Sequence, residues 1–220
     1  MGLPSGYFRF FTQLAKNNHK AWFDEHRSEY EHDVRAPFIS LVGDLISEIH
    51  RVDPAIAMQP KDTMYRINRD VRFSKDKAPY KLQMGANISR HGKKAMGKPG
   101  LYFEVNAKGG LIAVGCYMPN KEELTMYRDL IMHEAADLHS ALQHKQFTQL
   151  FGELQGERNK VLPEEFRAAA AQEPLLFNKQ FFAWTQVPKS VFTGADAAQQ
   201  MLAYWNAAKP LNDFFDRVWE

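Results

Sequence analysis

The chain has 220 residues, of which 45% are hydrophobic and 25% charged, and this composition is typical of a globular protein with one large core. No run of about 18 apolar residues is present, which excludes a membrane-spanning helix, and the first twenty residues lack the apolar run of a secretory signal. The formal net charge is only +2, and the single cysteine, Cys116, leaves no partner for a disulfide within the chain. We therefore expect a cytoplasmic protein. Because no linker or repeat divides the sequence, we expect a single domain over residues 1–220.

Helical spacing dominates the first fifty residues. Ser5 is expected to cap a first helix, and Asn18 to cap a second. Pro37 suits the first turn of a third helix, since a missing N–H is harmless there, and Arg51 lies near its end.

The middle of the chain alternates apolar and polar residues with period two, which predicts strands. Tyr65–Phe73 is the first predicted strand, and the stretch "LQMGANIS" follows it. Leu101–Asn106 and Leu111–Tyr117 flank a glycine-containing turn and predict a β-hairpin. We expect these strands to share one antiparallel sheet.

Helical patterns return after this region. Asn120 and Glu123 have the spacing of a capping box, and a later helix is expected to break at Pro210. The stretch "LLFNKQFFAWTQV" between them predicts one more strand. The order of helices, strands and helices indicates an α+β fold with a mainly antiparallel central sheet.

Two stretches resemble known motifs without completing them. "GKKAMGKP" has Pro99 where a phosphate-binding P-loop needs Ser or Thr, and a predicted strand follows it rather than a helix. "HEAADLH" has Asp137 where the zinc-protease motif needs His, so we predict a solvated polar face and no metal site.

The strongest signal is the charge of one region. Between Lys61 and Lys98 there are eleven Lys and Arg residues against three Asp and Glu residues. Within it, "YRINRDVRFSKDKAPYKLQ" suits an anionic ligand, because guanidinium groups hold phosphate or carboxylate with paired hydrogen bonds. The predicted ligand-binding residues are Arg66, Arg69, Arg72, Lys75, Lys77, Tyr80 and Lys81.

Two alternatives remain open for this region. It could be structural, a salt-bridge ladder in which Asp70 is shared by Arg66 and Arg72. It could also belong to an enzyme whose acid–base groups lie beside the cations. The catalytic candidates are then His26, Asp70, Asp76 and Glu104.

The expected partner is an anionic small molecule or a nucleic acid, and not a membrane. Four aromatic residues near the cations could stack on bases, namely Tyr65, Phe73, Tyr80 and Tyr102. The overall pI of about 8.5 is nevertheless below the value above about 9 typical of a dedicated nucleic-acid domain. The residues indicate no cofactor and no oligomeric state.

Two stretches together resemble a known family. They are "LAKNNHKAWFDEHRSEYEHDVRAPF", with the pattern N-N-x-x-x-W-F-x-x-H-R, and "YRINRDVRFSKDKAPYKLQMGANISR", with the pattern R-D-x-R-F-S-K-D-K-x-P-Y-K. The pair is similar to the bacterial and fungal family of conserved hypothetical proteins DUF2461. The resemblance implies one α+β domain over most of the chain, and it implies no established activity, cofactor or substrate.

Overall fold

The computed structural model describes residues 2–220 and contains a four-stranded sheet with helices before and after it in the chain. The α+β class predicted from the sequence is therefore confirmed. None of the helices in the described residues is long and apolar enough to cross a membrane.

The N-terminal part is helical, as predicted, but two of its caps differ from the prediction. Pro4 occupies the N-cap of the first helix, so the predicted cap Ser5 is the first helical residue instead. The N-cap of the second helix is His19, whose side chain accepts a hydrogen bond from the Trp22 N–H at 3.3 Å, because the Asn18 side chain bonds elsewhere. The helices are α1 (Ser5–Leu14), α2 (Lys20–Glu25), α3 (Arg27–Glu29), a π-helix (Tyr30–Arg35), α4 (Ala36–Val52) and α5 (Pro60–Thr63).

The sheet is antiparallel, and its strands follow the order of the chain. The strands are β1 (Gln83–Ile88), β2 (Leu101–Asn106), β3 (Gly109–Cys116) and β4 (Phe181–Pro188). The predicted hairpin is confirmed as β2 and β3. Its turn is held by the Asn106 side chain, which accepts hydrogen bonds from the N–H groups of Lys108 at 2.7 Å and Gly109 at 3.2 Å.

The prediction of a strand over Tyr65–Phe73 is wrong. The segment makes only isolated antiparallel bridges, from Met64 to Ala86 and from Asn68 to Tyr80. The ladder stops there because the next partner is Pro79: its carbonyl accepts from the Arg69 N–H at 2.9 Å, but proline has no N–H to donate in return. Residues 69–79 therefore form a loop.

The remaining helices come after β3 in the chain, some before β4 and some after it. The Asn120–Glu123 capping box is confirmed, with both of its hydrogen bonds present. The predicted break at Pro210 is wrong: the helix continues through it, since Ala208 and Leu211 on either side are fully buried and hold both halves in the core. The helices are α6 (Lys121–Leu142), α7 (Lys145–Phe151), α8 (Glu164–Arg167), α9 (Ser190–Thr193) and α10 (Ala197–Asp216).

The chain forms two compact units, so the single-domain organisation stays a prediction. The first unit comprises the described residues up to Ile88, with Tyr102–Ile112 and Gln186–Leu202. Its core is rich in aromatic rings, and Tyr7 ties α1 to β2 through a hydrogen bond from its hydroxyl to the Val105 carbonyl at 2.9 Å.

The second unit comprises Ser89–Leu101, Ala113–Thr185 and Ala203–Glu220. Buried Arg128 donates from its guanidinium to the carbonyls of Leu176 at 2.9 Å and Asn178 at 3.2 Å. Cys116 is fully buried in this unit, and burial raises the pKa of its thiol well above the ordinary value.

Candidate functional site

A cleft of about 420 Å³ opens in the first unit. Its size lies within the range of small-molecule sites in proteins. One wall comes from α3, the π-helix and α4, and the other from the chain between Lys61 and Asn68. Four cations line it against one carboxylate, namely Arg27, Arg35, Lys61 and Arg66 against Glu31.

The helical wall presents residues four apart. Arg27, Glu31 and Arg35 point toward the cleft from a run that changes from α-helix to π-helix at Tyr30. The π-helix widens the turn, since its backbone bonds join i to i+5, and such turns are frequent at functional sites. Arg35 pairs with Glu31 at 3.0 Å, and Arg27 pairs with Asp24 at 2.6 Å. The helical cations are therefore partly neutralised.

The opposite wall is fastened by backbone hydrogen bonds to the chain around β1. The Tyr65 N–H donates to the Gly85 carbonyl at 2.9 Å, and the Lys81 N–H donates to the Ile67 carbonyl at 2.8 Å. Ile67 is buried beneath this wall, which turns its neighbour Arg66 outward. The alternation predicted for this stretch is real over these few residues, although no strand forms.

Arg66 and Lys61 carry the unbalanced charge of the cleft. Both side chains are exposed, and neither makes an ion pair within 4.0 Å of a carboxylate anywhere in residues 2–220. The effect reaches Lys81: burial lowers its pKa first, and repulsion from Arg66 lowers it further, while Glu104 acts in the opposite direction. An anion entering the cleft would relieve this repulsion.

Tyr80 forms the inner boundary of the cleft and is fixed from two sides. Its ring stacks on Phe23 with centroids 4.0 Å apart. The Asn18 side chain makes two hydrogen bonds to the Tyr80 backbone. It donates to the Tyr80 carbonyl at 2.9 Å and accepts from the Tyr80 N–H at 3.1 Å. This double hydrogen bond explains why Asn18 does not cap α2.

The cations of residues 69–77 do not line the cleft. Arg69 pairs with Asp76 at 2.5 Å and donates to the Ala78 carbonyl at 3.1 Å. Arg72 holds Asp70 with two hydrogen bonds, Nε to Oδ1 at 3.0 Å and Nη2 to Oδ2 at 2.7 Å. These pairs resemble the predicted salt-bridge ladder; Arg66 makes no ion pair with Asp70 within 4.0 Å, although its charge also lowers the pKa of Asp70 after the hydrogen bonds from Arg72.

Of the predicted ligand-binding residues, the structure brings only Arg66 and Tyr80 into the cleft lining. Lys75 is exposed on the loop, and Lys77 donates to the Val71 carbonyl at 3.0 Å. Lys81 does not line the cleft, and its ammonium lies 5.5 Å from the centre of the Tyr65 ring.

None of the four catalytic candidates lines the cleft. His26 stacks on Trp22, with ring centroids 4.1 Å apart, and its Nδ1 bonds to the Trp22 carbonyl at 2.9 Å. Glu104 accepts a hydrogen bond from the Tyr102 hydroxyl at 2.7 Å.

The remaining two candidates are held ionised by their neighbours. Hydrogen bonds from Arg72 lower the pKa of Asp70, and the Ala78 N–H followed by Arg69 lowers the pKa of Asp76. A carboxylate with a lowered pKa is a poor proton acceptor at neutral pH. The hydrogen bonds of both side chains go to groups of the same loop.

Sequence reasoning missed three of the four cleft cations: Arg27, Arg35 and Lys61. Helical spacing of Arg27, Glu31 and Arg35 places them on one face, and this signal is visible in the sequence. Nothing in the sequence shows that this face meets the chain around Arg66.

Within residues 2–220, no group of three or more His, Cys, Asp or Glu side chains is placed so that it could hold a metal ion. In "HEAADLH", Glu134 and Asp137 both pair with Arg217, the latter at 2.7 Å.

Comparison with protein families shows to which family the chain belongs. The model of the family described as "Conserved hypothetical protein (DUF2461)" matches residues 6–214, which is nearly the whole chain. The chain belongs to the DUF2461 family. No curated protein matches it. The two stretches that resemble DUF2461 in the sequence meet in this structure, where Asn18 and Phe23 of the first hold Tyr80 of the second.

Proposed function

We propose that the cleft binds a phosphorylated or otherwise polyanionic ligand. The observation that carries this proposal is the pair Arg66 and Lys61, which are exposed in a cleft and have no carboxylate partner within 4.0 Å in residues 2–220. The guanidinium of Arg66 offers two parallel donors to phosphate oxygens, and Lys61 adds a point charge.

The volume and the lining of the cleft favour a ligand with an apolar part beside its charge. About 420 Å³ exceeds what one phosphate group fills, and the half-exposed Tyr65 supplies aromatic surface beside the cations. A compound of nucleotide size, with a planar group and one or more phosphates, fits this combination.

Binding is favoured over the two alternatives by the same geometry. Catalysis by His26, Asp70, Asp76 or Glu104 would need at least one of them in the cleft, and none lines it. A purely structural role would need the cleft cations to be paired, whereas Arg66 and Lys61 are not.

The proposal includes a cytoplasmic location, supported by the single cysteine, which suits a reducing compartment. It also includes a bacterial source, supported by the resemblance stated above.

The test is equilibrium titration of inorganic tripolyphosphate and of a nucleoside triphosphate at low salt. Arg66→Ala and Lys61→Ala should each lower affinity, because a hydrogen bond to a charged group contributes about 1.5–3 kcal/mol, which is roughly 10- to 150-fold. Lys108→Ala is the matched control, since this exposed lysine lies at the hairpin turn and outside the cleft lining. Added salt should weaken binding as the Debye length shortens.

Two results would contradict the proposal. One is that wild-type protein binds neither compound at low salt. The other is that Arg66→Ala lowers the stability of the fold while leaving affinity equal to that of Lys108→Ala, which is the outcome of a structural role.

A further inference from the structure

Phe73 is the most exposed large hydrophobic residue in the described chain, with 95% of its surface open to solvent. It lies near the middle of the loop of residues 69–79, which begins just beyond the Asn68–Tyr80 bridge. The alternation of the sequence predicts an inward side chain at this position, and the structure shows the opposite. Single exposed apolar side chains are common on protein surfaces, so the exposure of Phe73 gains meaning only together with the charges near its ring.

The loop that carries Phe73 contains an ion pair and hydrogen bonds between its own residues. Arg69 joins Asp76 and the Ala78 carbonyl across the base of the loop, and Lys77 donates to the Val71 carbonyl at 3.0 Å. These bonds join residues on both sides of Phe73, and they reduce the conformational entropy that the loop would lose when the ring meets a partner.

Three cations lie on the same loop as the ring, and one of them, Arg72, lies near it. The Arg72 guanidinium lies 5.9 Å from the centre of the Phe73 ring while it holds Asp70. Lys75 and Lys77 follow on the same loop and are exposed. Aromatic rings between cations are the arrangement with which proteins bind single-stranded nucleic acid, since bases stack on the ring and phosphates meet the cations.

Phe73 is the most exposed of the four aromatic residues of this region, and the Arg72 guanidinium lies 5.9 Å from the centre of its ring. Tyr80 is buried against Phe23, and the Tyr102 hydroxyl is bonded to Glu104. Tyr65 is only half-exposed and has the Lys81 ammonium near its ring.

We propose that Phe73 is a stacking platform for a base of single-stranded nucleic acid whose phosphates follow the cations toward Arg66. This inference rests on the proposed function, because it requires that the cleft binds one part of the nucleic acid. Asn68 connects the two features: it lines the cleft, and the loop begins at the next residue. The nucleic acid would extend from the cleft along the loop.

A membrane surface fits the loop less well than a nucleic acid. Membrane affinity grows with the apolar area inserted, and even a whole myristoyl chain gives only marginal binding. One phenyl ring among charged and polar neighbours inserts much less area than that chain. A base, in contrast, needs only one ring to stack on.

The test is fluorescence anisotropy with a labelled oligothymidylate about 12 nucleotides long, a length within the site sizes of single-strand binders. Phe73→Ala should lower affinity about 5- to 150-fold, and Phe73→Trp should retain binding with its indole fluorescence quenched by the oligonucleotide. Val161→Ala is the matched control, since Val161 is also exposed, at 72%, and lies in the other unit. Phe73→Ala removes a side chain that makes almost no packing contact, so the fold should be unaffected.

Three outcomes would contradict the inference, and they differ in which ligand or variant fails to bind. If wild-type protein binds tripolyphosphate but not the oligonucleotide, the cleft proposal stands and the nucleic-acid inference fails. If Phe73→Ala binds the oligonucleotide with wild-type affinity and Arg66→Ala binds it more weakly, only the stacking role of Phe73 is wrong. If Phe73→Ala instead loses binding to phosphatidylserine vesicles, the loop is a membrane contact.

Discussion

Removal of the Asn18 side chain should loosen the inner boundary of the cleft. Asn18 makes two hydrogen bonds to the backbone of Tyr80, 62 positions away in the chain, and so joins the start of α2 to the loop that ends at Tyr80. Asn18→Ala deletes both bonds and leaves one N–H and one carbonyl without their side-chain partner. The ring of Tyr80 would still stack on Phe23.

The magnitude follows from the two bonds. Each contributes about 0.5–1.5 kcal/mol net, so that Asn18→Ala should lower the free energy of unfolding by about 1–3 kcal/mol. For a chain of this size, 1 kcal/mol corresponds to roughly 2–4 °C, and the melting temperature should therefore fall by roughly 2–12 °C. Asn17 provides the matched control, because its side chain makes one hydrogen bond, to the Gln13 carbonyl at 3.0 Å.

Urea unfolding followed by circular dichroism measures both variants under identical conditions. Asn18→Ala should lose about twice as much stability as Asn17→Ala, with an unchanged denaturant slope. No loss in Asn18→Ala would show that its two hydrogen bonds to Tyr80 contribute nothing to stability. Equal losses in the two variants would show that these two bonds together contribute no more than the single bond of Asn17, and either result would contradict the prediction.

Two further predictions concern a buried thiol and a bracing carboxylate. Cys116 should react with an exposed-thiol reagent much more slowly in the folded protein than in denaturant, because it is fully buried and burial raises its pKa; equal rates would contradict its burial. The pKa of Asp76 is lowered from 3.8 by the Ala78 N–H and by Arg69, so its bracing contribution is complete above pH 3.8 and is lost as the pH falls through the lowered value. Hydrogen exchange of the Ala78 amide, corrected for intrinsic rates, should therefore lose protection only below pH 3.8, and loss at higher pH would refute this.

The periodicity of the sequence predicts the main elements of the fold. Alternation over Leu101–Asn106 and a turn rich in glycine suffice for the β2–β3 hairpin, because both strands and their turn are local in sequence. The same pattern fails for Tyr65–Phe73, since a strand also needs a partner that can complete the ladder, and Pro79 cannot donate to it. The missing N–H is visible in the sequence, but the pairing of Pro79 with Arg69 is not.

The candidate site is only partly visible in the sequence. The excess of positive charge after Lys61 draws attention to Arg66, which lines the cleft. It does not distinguish Arg66 from Arg69 and Arg72, whose carboxylate partners lie within the same loop. The helical cations Arg27 and Arg35 escape notice because only the fold brings them to the chain around Arg66.

A crystal structure of the protein with bound tripolyphosphate would test the central claim most directly. The account predicts phosphate oxygens within hydrogen-bond distance of the Arg66 guanidinium and the Lys61 ammonium, inside the cleft of about 420 Å³. An empty cleft at a saturating concentration, with the anion bound elsewhere on the surface, would contradict it.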